Sequence, residues 1–209
     1  MRKSTSIAIF LVLLLSPLLN AQQPDWKTKT TKDGSVTVSY NFSDFMNEDG
    51  KKFQRLEYEA KRTAAVTLDN CLKVMKDDSN HKAFMEGVED THRIKDISER
   101  EWVTYYFMNA RWPMPDADVV THYKLEEDPG LNGFSLTGTP APDLHPDQGV
   151  DRMKHNHTKY TFTDLGNGNV EIVMYSSSIP LVSVPKWLIS TWIPDGPADM
   201  LNGIAELAE

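Results

Sequence analysis

His155 and His157 stand two residues apart, so on a strand they would project from one face and could enter a shared metal site. Such a centre needs a third protein ligand, and His92, His122 and His145 stand at no spacing that supplies one. The single cysteine, Cys71, has no partner for an internal disulfide and falls in a helical pattern as a small apolar residue. Three other chemistries are missing from the motifs: no Gly-x-Ser-x-Gly elbow, no phosphate loop and no dinucleotide fingerprint. The carboxylates at Glu126-Glu127-Asp128 and at Asp143 and Asp147 read as solvated turns. The expectation is a protein without metal, cofactor or catalytic residues, whose work is done by shape.

The elements that would provide that shape are legible in the spacing. Val36, Val38 and Tyr40 alternate with Ser and Thr, the period of a strand with one buried face, and Leu56, Tyr58 and Ala60 place a second strand pair around residues 53–66. A helix follows, with Thr67 as its cap and Leu68, Cys71, Leu72 and Met75 at helical spacing; residues 81–85 add a short second one. Strands are expected over 90–97, 101–111, 117–126 and 131–137. A final pair over 156–165 and 169–177 is joined by Gly166-Asn167-Gly168, which can take the positive backbone angles of a tight turn. Pro140, Pro142 and Pro146 argue against a regular strand within 139–149. Pro185 suits the first turn of a last helix, and Pro194 to Pro197 should kink or break it.

Strand parity assigns faces. Val119, Thr121, Tyr123 and Leu125 share the better inward side of their strand. On the preceding strand both sides are largely apolar. Placing Trp102, Thr104, Tyr106 and Met108 inward sends Asn109 and Arg111 outward, where no charge is buried without a partner. The same reasoning turns Tyr160 and Phe162 inward. These residue types serve a packed core and a ligand cavity equally well.

The 209-residue chain carries 22 Lys and Arg against 30 Asp and Glu, a formal charge of -8. With no basic cluster, it is a poor match for a nucleic-acid backbone. Arg2 and Lys3, the apolar run from Ile7 to Leu15 and Leu19-Asn20-Ala21 before Gln22 have the order of a secretory signal over residues 1–21. The run is shorter than the ~20 residues of a spanning helix. Export, to a bacterial periplasm, is the expectation; an uncleaved N-terminal membrane anchor is the alternative.

Three tracts, in this order, resemble a START lipid-transfer domain of the helix-grip superfamily. Trp102 to Met114 followed by Asp116-Ala117-Asp118-Val119-Val120 resembles the family's strand, Trp-Pro turn and returning strand. Gly149-Val150-Asp151-Arg152 stands where the family carries a Gly-x-Val-Arg-like segment before its last two strands. Ile179 to Trp192 resembles the entry into its closing helix. The resemblance covers residues 25–209. It implies one α+β domain in which a curved antiparallel sheet wraps around a long C-terminal helix and encloses a hydrophobic cavity.

It further implies a bound lipid or other hydrophobic small molecule, with transient membrane contact during transfer. The expected lining is Tyr106, Met108, Val119, Tyr123, Tyr160 and Phe162 from the strands, with Leu188, Trp192 and Met200 from a closing helix whose apolar face continues through Leu201, Ile204 and Leu207. The resemblance also puts Arg152 at the start of a cavity-lining strand, where it could pair a ligand's polar head or a buried carboxylate, or form an ion pair with an acidic loop residue. The segment from Pro185 to Leu207 would act as the gate. Two other functions stay open: a cyclase-like or hydrolase-like enzyme acting on an apolar substrate, which needs a polar pair deep in the cavity, and a binding module whose interior is filled.

Overall fold

The protein's structure, a computed structural model, describes residues 25–109, 115–128, 130 and 132–209. The leader expected over residues 1–21, the Trp112-Pro113-Met114 turn, Ala110, Arg111 and Leu131 lie outside them. Alternation of apolar and polar side chains produces three opening strands, β1 (Lys27–Thr30), β2 (Val36–Met46) and β3 (Lys52–Ala64). Two helices follow, α1 (Leu68–Lys76) and α2 (Asp78–Phe84). The remaining strands are β4 (Val88–Ser98), β5 (Glu101–Met108), β6 (Ala117–Asp128), β7 (Gly133–Pro140), β8 (Asp151–Arg152), β9 (Asn156–Gly166) and β10 (Asn169–Ser178). Two further helices, α3 (Lys186–Trp192) and α4 (Asp195–Ala208), complete the chain.

The strands form one sheet in the order β1-β2-β3-β10-β9-β7-β6-β5-β4, antiparallel throughout, with β8 lying parallel beside β6. The chain therefore starts at one edge, crosses to the other through α1 and α2, and returns to the middle. Local chemistry explains the junctions. The Thr67 hydroxyl accepts from the Asn70 amide at 3.2 Å and starts α1. Asp77 ends α1 and starts α2, its carboxylate accepting from the Ser79 amide at 3.0 Å. Gly166, Asn167 and Gly168 turn β9 into β10 with φ of 79°, 57° and 74°.

The inner face of the sheet carries the residues selected by parity, among them Val38, Tyr58, Trp102, Tyr106, Val119 and Tyr123, all buried. Helix α4 packs on β2 and β3 and against α1 and α2. It buries Leu201 and Ile204 completely, each contributing about 1.5–3 kcal/mol through removal of apolar surface from water. Its C-terminal carbonyl at Ala208 accepts from the Asn70 side chain at 2.9 Å, and Arg62 on β3 donates to Asn202. The helical segment is divided at the cis Ile193–Pro194 bond. Pro197 lies in the first turn of α4, where an amide N–H would have no partner within the helix.

Some expectations need correction. Leu207 is 42% exposed, so the inner face of α4 runs through Ala205 and Ala208 instead. Thr139 and Pro140 belong to β7, because a proline at a strand's end removes no ladder bond that the sheet needs. On the outer face, Val103, Tyr105 and Val120 are also buried, under a strap formed by residues 141–152. This second covering explains why both faces of β5 are apolar.

Candidate ligand cavity

Between the inner face of the sheet, the turn after α2, and the helices α3 and α4 lies a cavity of about 170 Å³. Tyr106 and Met108 of β5, Val119 and Tyr123 of β6, Trp192 of α3 and Met200 of α4 all line it. The other four residues expected there do not. Tyr160 and Phe162 face the same interior but are fully packed, Phe162 stacked on Phe134 with ring centroids 4.6 Å apart. Leu188 is half-buried on α3, whose core contacts are made by Ile189 and Trp192.

Arg152 lies on the outer face, away from the cavity. Its guanidinium grips the fully buried Asp118 through two bonds of 2.8 and 2.6 Å and donates to the carbonyls of Pro142, His145 and Pro146. Of the roles left open for Arg152, it takes the pairing with a buried carboxylate. That pair fastens the strap, and no donor of the guanidinium reaches a ligand space.

Five methionines, Met85, Met108, Met153, Met174 and Met200, contribute to the lining. Their unbranched, polarizable side chains can rearrange around a guest. Among the described residues, Glu86 is the lining residue that carries a charge, and it is exposed at the mouth, where the Trp192 indole donates to its carboxylate at 3.0 Å. Polar lining elsewhere is neutral: Thr121, Asn156, Thr158, Ser176 and Ser178. Among the described residues, an anionic ligand head held inside would meet no opposite charge on the walls and a cationic one only Glu86 at the mouth, a costly arrangement.

Sequence reasoning passed over the polar group at one end of this space. His81 of α2 is 1% exposed, with Nδ1 2.6 Å from the Tyr106 hydroxyl and Nε2 3.1 Å from the Met75 carbonyl. The Tyr106 hydroxyl in turn lies 2.9 Å from that of Tyr123. Burial pushes His81 below its ordinary value, so it is neutral, and pushes both phenols up, so they keep their protons. Asp78, one turn before His81, binds Thr104 at 3.0 Å and Arg93 at 2.8 Å and so locks α2 onto β4 and β5. The signal available in the sequence was the spacing of His81 to Phe84, which places a histidine on the apolar face of a short helix.

His155 and His157 do share a face, but it is the outer one, beside Arg55 and Tyr175, with the His155 ring 4.9 Å from Phe45. Among the described residues no group of three His, Cys, Asp or Glu could hold a metal ion. Cys71 is buried, and burial pushes its thiol up to about 11. No helix among the described residues is long and apolar enough to cross a membrane.

A curved antiparallel sheet closed by C-terminal helices over an internal cavity is the helix-grip fold, here in its START-like form. A STAR-related lipid transfer protein fragment from Xanthomonas axonopodis superposes with a TM-score of 0.71 at 20% identity, over 88% of this chain and 99% of that one. Human StAR-related lipid transfer protein 5 gives 0.68 at 15% identity, over 88% and 86%. The Zhui aromatase/cyclase of a Streptomyces species is more distant, at 0.54 and 11% over 74% and 93%. In sequence, an uncharacterized protein of Pseudomonas aeruginosa is 24% identical over 192 residues, 91% of this chain and 90% of that protein. No protein-family model matches the chain.

Proposed function

We propose that this protein is an exported carrier that takes an uncharged, largely apolar small molecule or lipid into its internal cavity and releases it at a membrane. The observation that carries the reading is the cavity: walled by the START-like sheet and helices, lined by five methionines and, among the described residues, uncharged except at its mouth. Burial of apolar ligand surface there supplies roughly 25 cal/mol per Å² and needs no reaction. His81 is spent on Met75 and Tyr106, and neither tyrosine can ionise readily, which supports a binding role over a catalytic one.

At about 170 Å³ the cavity is below the ~300–1,000 Å³ typical of ligand sites, so a lipid requires the lining to move. The element suited to move is α3. It buries none of its residues fully, whereas α4 is pinned at Asn202 and Ala208. Beside the packing of Ile189 and Trp192, two polar attachments among the described residues hold α3 down: the Trp192–Glu86 bond, and the Lys29 ammonium on the carbonyls of Ser190 and Ile193, at 2.9 Å each. Trp187 on the same helix is 69% exposed, a side chain suited to a membrane interface. The gate is thus the front part of the segment from Pro185 to Leu207. The signal-like order of residues 1–21 supports export.

The test is native mass spectrometry of the protein from its own cell envelope, followed by exchange measurements. The expected result is a co-purified apolar molecule whose exchange stops when Cys at positions 86 and 192 are bridged by a short bis-thiol linker. Buried Cys71 should not compete for the linker. A bridged protein that exchanges at the free rate would remove α3 as the gate, and failure to bind any apolar molecule would remove the carrier reading.

A further inference from the structure

A row of residues runs across the middle of the inner face by direct pairing: Tyr123 opposite Gly138, Gly138 opposite Thr158, Thr158 opposite Ser176 and Ser176 opposite Tyr58. The missing side chain of Gly138 is taken up by its neighbours: a Cβ there would sit 2.6 Å from Thr158 Oγ1 and 2.9 Å from both Thr121 Cγ2 and a ring carbon of Tyr123. Tyr123 and Thr158 therefore converge over Gly138, both line the cavity, and together they make the polar notch of its wall. Thr158 is 8% exposed, and its Oγ1 is buried with no hydrogen-bond partner. A buried hydroxyl left unpaired is costly, so the site is built for a polar atom that arrives from elsewhere.

The hydrogen-bond direction of the neighbouring chain says what that atom must offer. The Met75 carbonyl can only accept, so the proton of neutral His81 sits on Nε2. Nδ1 then carries a lone pair and accepts from the Tyr106 hydroxyl. Because the Tyr106 proton is spent there, the Tyr106–Tyr123 bond has Tyr123 as donor. The Tyr123 oxygen is left with acceptor capacity alone, while Thr158 across the notch has a proton to give.

Resting on the carrier reading above, we propose that this notch recognises the hydroxyl group of an uncharged, otherwise apolar alcohol. The ligand O–H donates to Tyr123 and its oxygen accepts from Thr158. An ether or ester satisfies Thr158 and leaves Tyr123 unserved, and a carboxylate brings a charge that no described lining residue offsets.

Calorimetric titration of the delipidated full chain with octanol, heptyl methyl ether, octanoate and octane tests this. Octanol and the ether share one heavy-atom count and differ in the donor. Octanol should bind about tenfold more tightly than the ether. Tyr123→Phe should remove octanol's advantage over the ether, and Thr158→Val should weaken octanol and the ether together. Equal binding of octanol and the ether by the unmodified protein would overturn the proposal, as would octanol and ether affinities that Thr158→Val leaves unchanged. If Tyr123→Phe does not fold, the joint loss of octanol and ether affinity relative to octane in Thr158→Val decides alone. Binding of octane without any preference for octanol defeats this inference and leaves the carrier intact; binding of none of the four probes defeats both.

Discussion

His81 should make the protein acid-sensitive well above the range in which carboxylates titrate. Its imidazole is 1% exposed, and burial is the largest influence on it, lowering its pKa from the ordinary 6.5. The Met75 carbonyl and the charges of Asp78 and Asp77 act in the opposite direction, and Arg93 adds to the lowering. Below 6.5 the unfolded chain binds a proton that the folded chain refuses, so unfolding takes up a proton and stability falls as pH falls. The contribution is complete above the unfolded value and is lost toward the lower folded one. With the folded ring still neutral, a single site costs about 1.4 kcal/mol between roughly pH 7.5 and 5.5. For a domain of this size that lowers Tm by about 3–6 °C. Urea denaturation at half-unit pH steps reads the slope directly. His81→Gln should lower stability at neutral pH, because the bonds to Met75 and Tyr106 are disturbed, and flatten the curve in this window. A flat curve for the unmodified protein, or an equal slope in His81→Gln, would refute the assignment of a neutral, desolvated imidazole.

Three further outcomes follow from the same geometry. Met108→Trp should reduce uptake of an apolar probe by much more than it reduces thermal stability, since Met108 is half-buried at the cavity wall; equal losses would mark a filled core, where overpacking costs about 1–3 kcal/mol. Arg152→Met should cost about 3–5 kcal/mol in chemical denaturation, because it strands a buried Asp118 carboxylate. Folded Arg152→Met should bind ligand normally, and a selective loss of binding would return Arg152 to the site. N-terminal sequencing of exported material should begin at Gln22; material beginning at Met1 would sink the cleaved leader.

The parts of the fold legible in advance are those in which one element has a single buried face. Val36, Val38 and Tyr40 declare such a face by alternation alone, and Thr67 declares the start of α1 by its own side chain. β5 resisted this reading because its two faces are buried by different things, the cavity side by α2 and α4 and the outer side by the strap. Alternation records only that a side chain is buried, never what covers it. Arg152 shows the same limit: its partner Asp118 lies 34 residues away and is set opposite it by the parallel pairing of β8 with β6, a register that no local pattern announces. On α3, seven residues are too few for a period to separate Leu188 from Ile189.

The polar notch was hidden for a further reason. Parity had turned Tyr160 and Phe162 inward, and Thr158 shares their parity. A small hydroxyl residue among large apolar ones was the available clue. Its meaning depends on Gly138 and Tyr123 standing beside it on two other strands, and on His81, from a helix outside the sheet, fixing which way the tyrosine protons point. Specificity in this fold is therefore carried by register, since sliding β9 by two residues against β7 would keep every apolar residue inward and take Thr158 away from the notch.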